Sequence, residues 1–424
     1  MVLESDELEF ELRSKTKYMI AKPVGVKGGC YLNWVSSRLE RMPRSGVREI
    51  FDMARGIPGL VHLELGEPDF PMPNHITQAA IQALHDGFTK YTPNAGIEEL
   101  REAISEKLKR QNEMDVDANR EILVTAGSME ALSLSLLSTV NENDEVVIPD
   151  PGYVSYLPLV LLAGGVPVPV PLTEEKDFRL TSESLEKVVT KKTRLVVMNY
   201  PSNPTGAVSL PEDLKAIADF AVDRDLLVLS DEPYERLVYP GSRHHSIAAL
   251  PGMLERTISV FSFSKTYAMT GMRVGYAVTG RELIRQMTKL QEHYVACVNS
   301  VAQKAAVAAL RGPQTCVEDM LKEYARRRDV IIEGLSKIEM MTCRKPAGAF
   351  YAFPNISRSG QDSKTFAQNL LKEAKVATVP GVAFGKLGEG HIRLSFATSI
   401  DNIKEALKRM AEYCARTYPK QVKA

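Results

Sequence analysis

Cysteine is scarce and scattered in this chain of 424 residues. Cys30, Cys297, Cys316, Cys343 and Cys414 are odd in number, far apart and free of any C-x-x-C spacing. They argue against a disulfide framework and a zinc site, and they predict a reducing, cytoplasmic setting. Neither sign of charge is in excess: Lys+Arg and Asp+Glu are both 53, so the formal net charge is zero. That removes the bulk electrostatic case for binding nucleic acid or an anionic membrane surface. Basic runs such as Arg326-Arg327-Arg328 are short, flanked by acidic residues, and read as solvated helix faces. Long apolar runs are missing too. The longest candidate, from Leu157 to Val170, is broken by Pro158, Gly164, Gly165, Pro167 and Pro169, too often for a membrane span. The N-terminus carries Glu4, Asp6, Glu7, Glu9 and Glu11 without an apolar segment, unlike a signal or transit peptide. No internal repeat or low-complexity segment is present.

What is there is an ordinary globular composition, 44% hydrophobic and 25% charged, in a chain too long for one compact core. From about residue 120, short β-rich runs alternate with helical stretches, which predicts parallel βαβ units. The expected strands are Glu121–Val124, Glu145–Ile148, Pro167–Val170, Leu195–Asn199, Leu226–Ser230, Thr257–Ser262 and Arg273–Val278. Helices are expected at Ser128–Leu137 and Pro211–Arg224, the latter with Pro211 in its first turn, where a missing N–H does no harm. Long helical patterns follow, roughly Arg281–Leu310 and Val317–Lys337. A different texture comes last: strands at Gly348–Pro354 and His391–Phe396, helices at Ser363–Ala374 and Ile400–Tyr413. The expected fold class is α/β, a large domain with a seven-stranded, mostly parallel sheet flanked by helices, plus a smaller α+β domain. Residues 1–37 are set apart as an extension, 38–75 join the small domain, 76–310 form the large domain, and 311–424 complete the small one.

The most informative stretch is Ser259-Val-Phe-Ser-Phe-Ser-Lys265-Thr-Tyr-Ala-Met-Thr-Gly-Met-Arg273-Val-Gly-Tyr276. An apolar strand ends in a Ser-x-Ser-Lys cluster, and an arginine follows eight residues later on the next strand. Lys265, with hydroxyls beside it, suits an imine-forming amine next to an anchored phosphate, the requirement of pyridoxal 5′-phosphate. Asp231, in Leu226-Leu-Val-Leu-Ser-Asp231-Glu-Pro-Tyr234, leaves the carboxyl end of another buried strand, where open α/β sheets hold their ligands. A carboxylate in that setting needs a cationic partner, and a protonated pyridine nitrogen is one. Read alone, the same Asp-Glu-Pro is also a helix cap or a turn. Tyr234 can reach the phenolic oxygen of the ring.

Asn203 lies in Val197-Met-Asn-Tyr-Pro201-Ser-Asn203-Pro204-Thr-Gly206, a turn stiffened by two prolines that aims its amide at one point. Phosphate needs N–H donors at a helix start. Gly127, Ser128 and Met129 supply a strand, a glycine turn and a helix with serine first, although Ser128 also reads as a plain N-cap. Ser262 and Arg273 would complete the cradle, arginine being favoured for its forked geometry. In His391-Ile-Arg393-Leu-Ser-Phe, an arginine sits inside an apolar strand, where a bidentate carboxylate would resolve its cost.

In order and spacing these elements resemble the class I/II aminotransferases, the aspartate-aminotransferase-like family of PLP fold type I, from about residue 38 to the C-terminus. The one departure is Tyr200-Pro201 at the first proline of the Asn-Pro-x-Asn-Pro-Thr-Gly element. The texture of Gly-Glu-Pro-Asp-Phe, Lys-Pro-Ala-Gly-Ala-Phe-Tyr and Val-Pro-Gly-Val-Ala-Phe-Gly looks closest to prokaryotic, especially archaeal, aspartate or aromatic aminotransferases.

The resemblance implies pyridoxal 5′-phosphate as cofactor, with Lys265, Asp231 and Tyr234 catalytic. It implies that Asn203 and Tyr234 bond the phenolic oxygen and that Tyr153 stacks on the ring. Arg393, helped by Gly66 and Asn203, would take the substrate α-carboxylate. Tyr91 would reach the phosphate of a neighbouring subunit, making the active unit a homodimer with shared sites. The substrates would be amino acids and 2-oxo acids such as 2-oxoglutarate, in a ping-pong cycle, with neither metal, nucleic acid nor membrane as partner. A carbon–sulfur β-lyase or an aminocyclopropane carboxylate synthase would share every motif. A PLP-sensing regulator would need a DNA-binding module for which residues 1–37 leave no room. Arg41, Arg44, Lys90 and Arg281 are candidates for a side-chain carboxylate. Tyr18, Tyr31, Trp34 and Val47 are candidates for an apolar pocket.

Overall fold

The structure, a computed structural model, describes residues 34–418. Cys30, Tyr18, Tyr31 and the acidic residues of the N-terminus lie outside them. The strands are β1 (Val61–His62), β2 (Ile122–Thr125), β3 (Glu145–Asp150), β4 (Val166–Pro171), β5 (Thr193–Asn199) and β6 (Leu227–Asp231). They continue with β7 (Thr257–Ser262), β8 (Gly275–Val278), β9 (Tyr351–Ala352), β10 (Val376–Ala377), β11 (Val379–Pro380) and β12 (Ile392–Ser395). The expected seven-stranded, mostly parallel sheet is present, in the order β2-β8-β7-β6-β5-β3-β4. Its central strands are buried along their length because helices cover both faces. Runs such as Leu195-Val-Val-Met-Asn199 therefore need no polar alternation.

Only β8 runs antiparallel to its neighbours, pairing Ser262 with Gly275 on one side and Thr125 with Gly275 on the other. This reversal positions the site. The carboxyl ends of β2, β3, β5, β6 and β7 share one edge of the sheet, and β8 brings its amino end there. In β5 and β6 the register sets Asn199 beside Asp231.

The helix Ser128–Thr139 follows β2 directly, and Pro211–Asp223 carries Pro211, Glu212 and Asp213 in its first turn, favourable for both geometry and dipole. The long pattern expected from Arg281 to Leu310 is two helices, Arg281–Tyr294 and Ser300–Arg311. The first ends at Val295, and Asn299 caps the second by accepting from the Ala302 N–H at 2.9 Å, so the chain turns between two apolar faces. Arg273, expected on a strand, precedes β8 in a left-handed conformation (φ 51°). The expected strand over Gly348–Pro354 shrinks to β9, and Ser363–Ala374 is α-helical only to Asn369, then closes in a π-turn.

The remaining strands make two small sheets, β11-β12-β9 antiparallel and β1-β10 parallel. Val61 and Leu63 pack in one apolar cluster with Tyr324, Phe350, Phe366, Leu394 and Met410. Each such side chain, fully buried, is worth about 1.5–3 kcal/mol relative to exposure. The helix Ile400–Thr417 turns Ile403, Ala406, Leu407, Met410 and Cys414 into this cluster, the three- and four-residue spacing of one helical face. No helix of the described residues is long and apolar enough to cross a membrane.

Candidate active site

A cavity of about 580 Å³ opens at the sheet edge where these strand ends meet. Lys265 enters it from a single helical turn, Phe263–Thr266, set by Ser262, whose Oγ accepts from the Ser264 N–H at 3.1 Å. Its Nζ donates to the Gly66 carbonyl at 2.6 Å and lies 6.0 Å from the Phe350 ring. Burial lowers the Lys265 pKa to about 8; the Arg393 and Arg273 charges push the same way, and Glu67 opposes them.

Asp231 ends β6 fully inside the protein. Its Oδ2 accepts from the Tyr156 hydroxyl at 2.6 Å, and its Oδ1 has no partner. Burial, helped by the Glu232 charge, raises its pKa to about 7, while the Tyr156 bond pulls it back. The cationic partner expected of Asp231 is absent among the described residues, so the carboxylate faces the cavity half-satisfied.

Asn199 organises the neighbouring loop. Its Nδ2 donates to the Asp231 carbonyl at 2.8 Å, and its Oδ1 accepts from the Asn203 N–H at 2.9 Å. Tyr200-Pro201 and Asn203-Pro204 are both cis. Gly206 closes the turn with φ 70° against Pro346, leaving no room for a Cβ. The Asn203 Oδ1 accepts from Arg393 Nη1 at 3.1 Å.

Arg393, buried in β12, also donates from Nη2 to the Glu64 carbonyl at 2.6 Å and lies 4.6 Å from the Tyr351 ring. Its Nε is unpartnered, and it pairs with no carboxylate among the described residues. A buried cation without an anion is expensive unless a ligand supplies one. Tyr234 and Tyr351 share a hydrogen bond of 2.8 Å between hydroxyls.

At the far wall, Gly127 (φ 77°) precedes the helix Ser128–Thr139, so Ser128 and Met129 present backbone N–H groups at its start. A Cβ on Gly127 would sit 2.6 Å from the Arg273 guanidinium, so the two are packed together. Arg273 Nη1 donates to the Thr270 carbonyl at 3.0 Å. Tyr153 contacts Met129 Sδ through its hydroxyl at 3.5 Å and meets Tyr156 edge-on at 5.6 Å.

Gly66, Ser128, Met129, Tyr153, Asn203, Asp231, Tyr234, Ser262, Lys265, Arg273 and Arg393 thus line one cavity, with Gly127 against its wall. Tyr91 is elsewhere, 88% exposed. Of the side-chain candidates, Val47 lines the cavity; Arg41, Arg44, Lys90, Arg281 and Trp34 do not. Arg281 instead pairs with Glu121 at 3.3 Å. Tyr156, Asn199 and Tyr351 are functional neighbours not singled out from the sequence. Tyr156, three residues beyond Tyr153 in one Pro-Gly-Tyr-Val-Ser-Tyr run, was the most visible of them.

These residues fit pyridoxal 5′-phosphate. An orphaned buried Asp231 oxygen awaits a cation, helix-start donors and a guanidinium await an anion, and an amine of lowered pKa awaits an aldehyde. Among the described residues no group of three or more His, Cys, Asp or Glu is arranged to hold a metal ion.

Comparison with known proteins agrees with this geometry. The sequence profile of the family "Aminotransferase class I and II" matches residues 58–410. The chain is 47% identical over 378 residues to aromatic-amino-acid aminotransferase 2 of Thermococcus litoralis, covering 89% of this chain and 97% of that one. It is 48% identical over 378 residues to an aspartate aminotransferase of Pyrococcus abyssi, with the same coverage of 89% and 97%. Among solved structures, an aromatic aminotransferase from Pyrococcus horikoshii OT3 superposes with a TM-score of 0.83 at 46% identity, covering 87% and 99% of the two chains. The aspartate aminotransferase of Thermus thermophilus with maleate gives 0.86 at 38% identity, covering 90% and 100%.

Proposed function

Since the chain belongs to the class I and II aminotransferases and is a pyridoxal 5′-phosphate-dependent transaminase, we propose that its preferred donor is aspartate or an aromatic L-amino acid. The acceptor is a 2-oxo acid such as 2-oxoglutarate, and the two half-reactions alternate in a ping-pong cycle. The observation that carries the assignment of roles is the convergence of Lys265, an under-partnered Asp231 and an under-partnered Arg393 on one cavity.

When bound, pyridoxal 5′-phosphate supplies an aldehyde that condenses with amines and a ring that draws electrons from the substrate α-carbon. Gly127, Ser128, Met129, Ser262 and Arg273 would hold its phosphate. Asp231 would balance the charge of its ring nitrogen, Tyr153 would cover the ring face, and Asn203 and Tyr234 would bond its phenolic oxygen. Lys265 would be the covalent anchor. Its Nζ, when free, would act as the base that takes the substrate α-proton and as the acid that delivers it to the cofactor side instead of returning it to the α-carbon. A pKa of about 8 leaves it available as a base near neutral pH. Arg393 clamps the α-carboxylate with Asn203 and Gly66 beside it, which fixes the orientation of the C–H bond to be broken.

Tyr91, exposed on this chain, is proposed to reach the phosphate of a second subunit in a homodimer. The pairing of β1 with β10 supports assigning residues 38–75 to a small domain with 311–424, leaving 76–310 as the large one. The scattered cysteines support a cytoplasmic location.

The test is a spectral screen of single half-reactions. Purified holoenzyme is mixed with each amino acid, and loss of the visible absorbance of the bound cofactor is followed. Fast loss with aspartate or an aromatic amino acid is expected, whereas reaction only with cystathionine, releasing pyruvate and ammonia, would move the assignment to a β-lyase.

A further inference from the structure

Of the run Arg326-Arg327-Arg328, read from the sequence as a solvated helix face, only Arg326 is turned to solvent. Arg327 and Arg328 are buried on the helix Thr315–Ser336. Arg328 is taken up in the small-sheet core, over the Tyr239 ring at 4.4 Å and beside Asp329 at 3.0 Å. Arg327 reaches instead the segment that walls the active-site cavity. Its Nη1 donates to Asp69 Oδ1 at 2.7 Å and its Nε to Glu323 Oε1 at 3.0 Å. The guanidinium also lies 4.9 Å from the centre of the Phe70 ring, which meets Tyr324 edge-on at 5.4 Å.

Glu64, Leu65, Gly66 and Glu67 line the cavity, in a stretch that is neither helix nor strand. Its start is fixed where Leu63 accepts from the Ser395 N–H at 2.7 Å and donates to the Ala377 carbonyl at 3.0 Å. Beyond that point, among the described residues, no backbone-to-backbone hydrogen bond holds residues 64–70. Yet this stretch supplies carbonyls to both cations at the centre of the site, Glu64 to Arg393 and Gly66 to Lys265, each at 2.6 Å. Lys265 would give up the Gly66 contact on anchoring the cofactor, whereas Arg327 and Asp69 stand outside the cavity and keep theirs. A charge-assisted bond of that kind is among the stronger ones.

Taking Lys265 and Arg393 in the roles given above, on which this inference rests, we propose that Arg327 is a positioning residue for binding of the substrate α-carboxylate. Through Asp69 and Phe70 it pins the far end of residues 64–70. Leu63 pins the near end, so the Glu64 carbonyl stays against Arg393 Nη2 and the Gly66 backbone stays beside the carboxylate. Gly66 has no room to drift inward, since a Cβ there would stand 2.5 Å from the Tyr351 hydroxyl. Without the Arg327 tether the stretch is free to lift away, and Arg393 loses its fixed aim. Glu323, four residues earlier on the same helix, holds the guanidinium ready for Asp69.

The test compares wild type, Arg327→Met, Arg327→Lys and Asp69→Ala. Asp69 is partly exposed, and its loss leaves Arg327 paired with Glu323, so Asp69→Ala breaks the link without emptying the core. In the holoenzymes, the affinities of maleate and 3-phenylpropionate, carboxylates that cannot be transaminated, are read from the visible absorbance of the bound cofactor. In the apoproteins, amide hydrogen exchange is followed along the chain. In Arg327→Met and Asp69→Ala both carboxylates should bind about tenfold more weakly, the scale of one hydrogen bond to a charged group, and KM for amino acids should rise by more than kcat falls. Exchange should quicken at residues 64–70 and keep its wild-type rate in β5 and β6. Arg327→Lys, which keeps the charge but not the fork, should recover part of the affinity. Wild-type carboxylate affinity in Asp69→Ala, or exchange that quickens equally in β5 and β6, would overturn the role of Arg327 and leave the aminotransferase reading intact. A wild-type holoenzyme whose absorbance responds to none of the amino acids would overturn that reading instead.

Discussion

The hydroxyl of Tyr156 donates to Oδ2 of Asp231 across 2.6 Å, and no second side-chain donor reaches that carboxylate among the described residues. The bond holds the acid in its charged form against the burial that favours protonation. Tyr156→Phe keeps the ring volume and removes the donor. Asp231 should then take a proton more readily and balance the cofactor ring less well. Cofactor affinity is expected to fall about tenfold, the scale of one hydrogen bond to a charged group. Equilibrium dialysis of the variant against the cofactor measures it, and wild-type affinity would show that Asp231 needs no help.

Asp231 makes the apoprotein sensitive to pH. Its folded pKa of about 7 lies above the ordinary 3.8, so between these values the folded chain holds more protons than the unfolded one. Its contribution to stability is therefore present at acid pH and is lost as pH rises through about 7. Asp231→Asn removes that loss. The variant apoprotein should outlast wild type in urea at pH 8 by a few kcal/mol, with the gap closing toward pH 4. Its kcat should fall by about 10²–10³, the usual scale for losing a preorganised charge. A variant apoprotein less stable than wild type at pH 8 would contradict the buried, under-partnered state of this carboxylate.

Capture of the cofactor by the apoprotein should follow the neutral fraction of Lys265. With its pKa lowered to about 8, the rate constant should climb with pH to a plateau whose midpoint lies near 8. Stopped-flow mixing of apoprotein and pyridoxal 5′-phosphate across pH checks this. A midpoint near the ordinary 10.5 would mean that the amine is not held in the desolvated position described.

Much of this was legible locally. All seven strands of the large sheet fall within two residues of their expected ends, because β-branched runs between glycine, proline and helical patterns leave little else for them to be. Residues at the ends of those strands, Lys265, Asp231 and Asn203, were visible for the same reason. The reversal of β8 was not, since strand direction within a sheet is set by partners far along the chain. Arg273 reads as part of a strand because Met-Arg-Val-Gly-Tyr alternates well, yet its left-handed backbone turns it toward Gly127. Tyr156 stayed hidden because what singles it out is its position against a distant residue, Asp231, 75 positions along the chain.

Phe350 links the small-sheet core to the site. It is fully buried, meets Tyr234 edge-on at 5.4 Å and Tyr351 at 4.9 Å, and lies beneath Lys265 Nζ. Phe350→Ala should cost about 3–5 kcal/mol in unfolding free energy, the range for emptying a large aromatic site. It should also loosen Tyr234, so the surviving folded enzyme should lose kcat. Chemical denaturation with activity measured in parallel separates the two effects, and a loss under 1 kcal/mol would contradict the packing.

Trapping the bond between Lys265 and the cofactor tests the enzyme's central chemistry most directly. Holoenzyme is treated with borohydride, digested, and its peptides are sequenced by mass spectrometry. One reduced pyridoxyl adduct on the tryptic peptide Thr257–Arg273, fragmenting at Lys265, is the predicted result. No adduct, or one on a different lysine while Lys265 stays free, would contradict it.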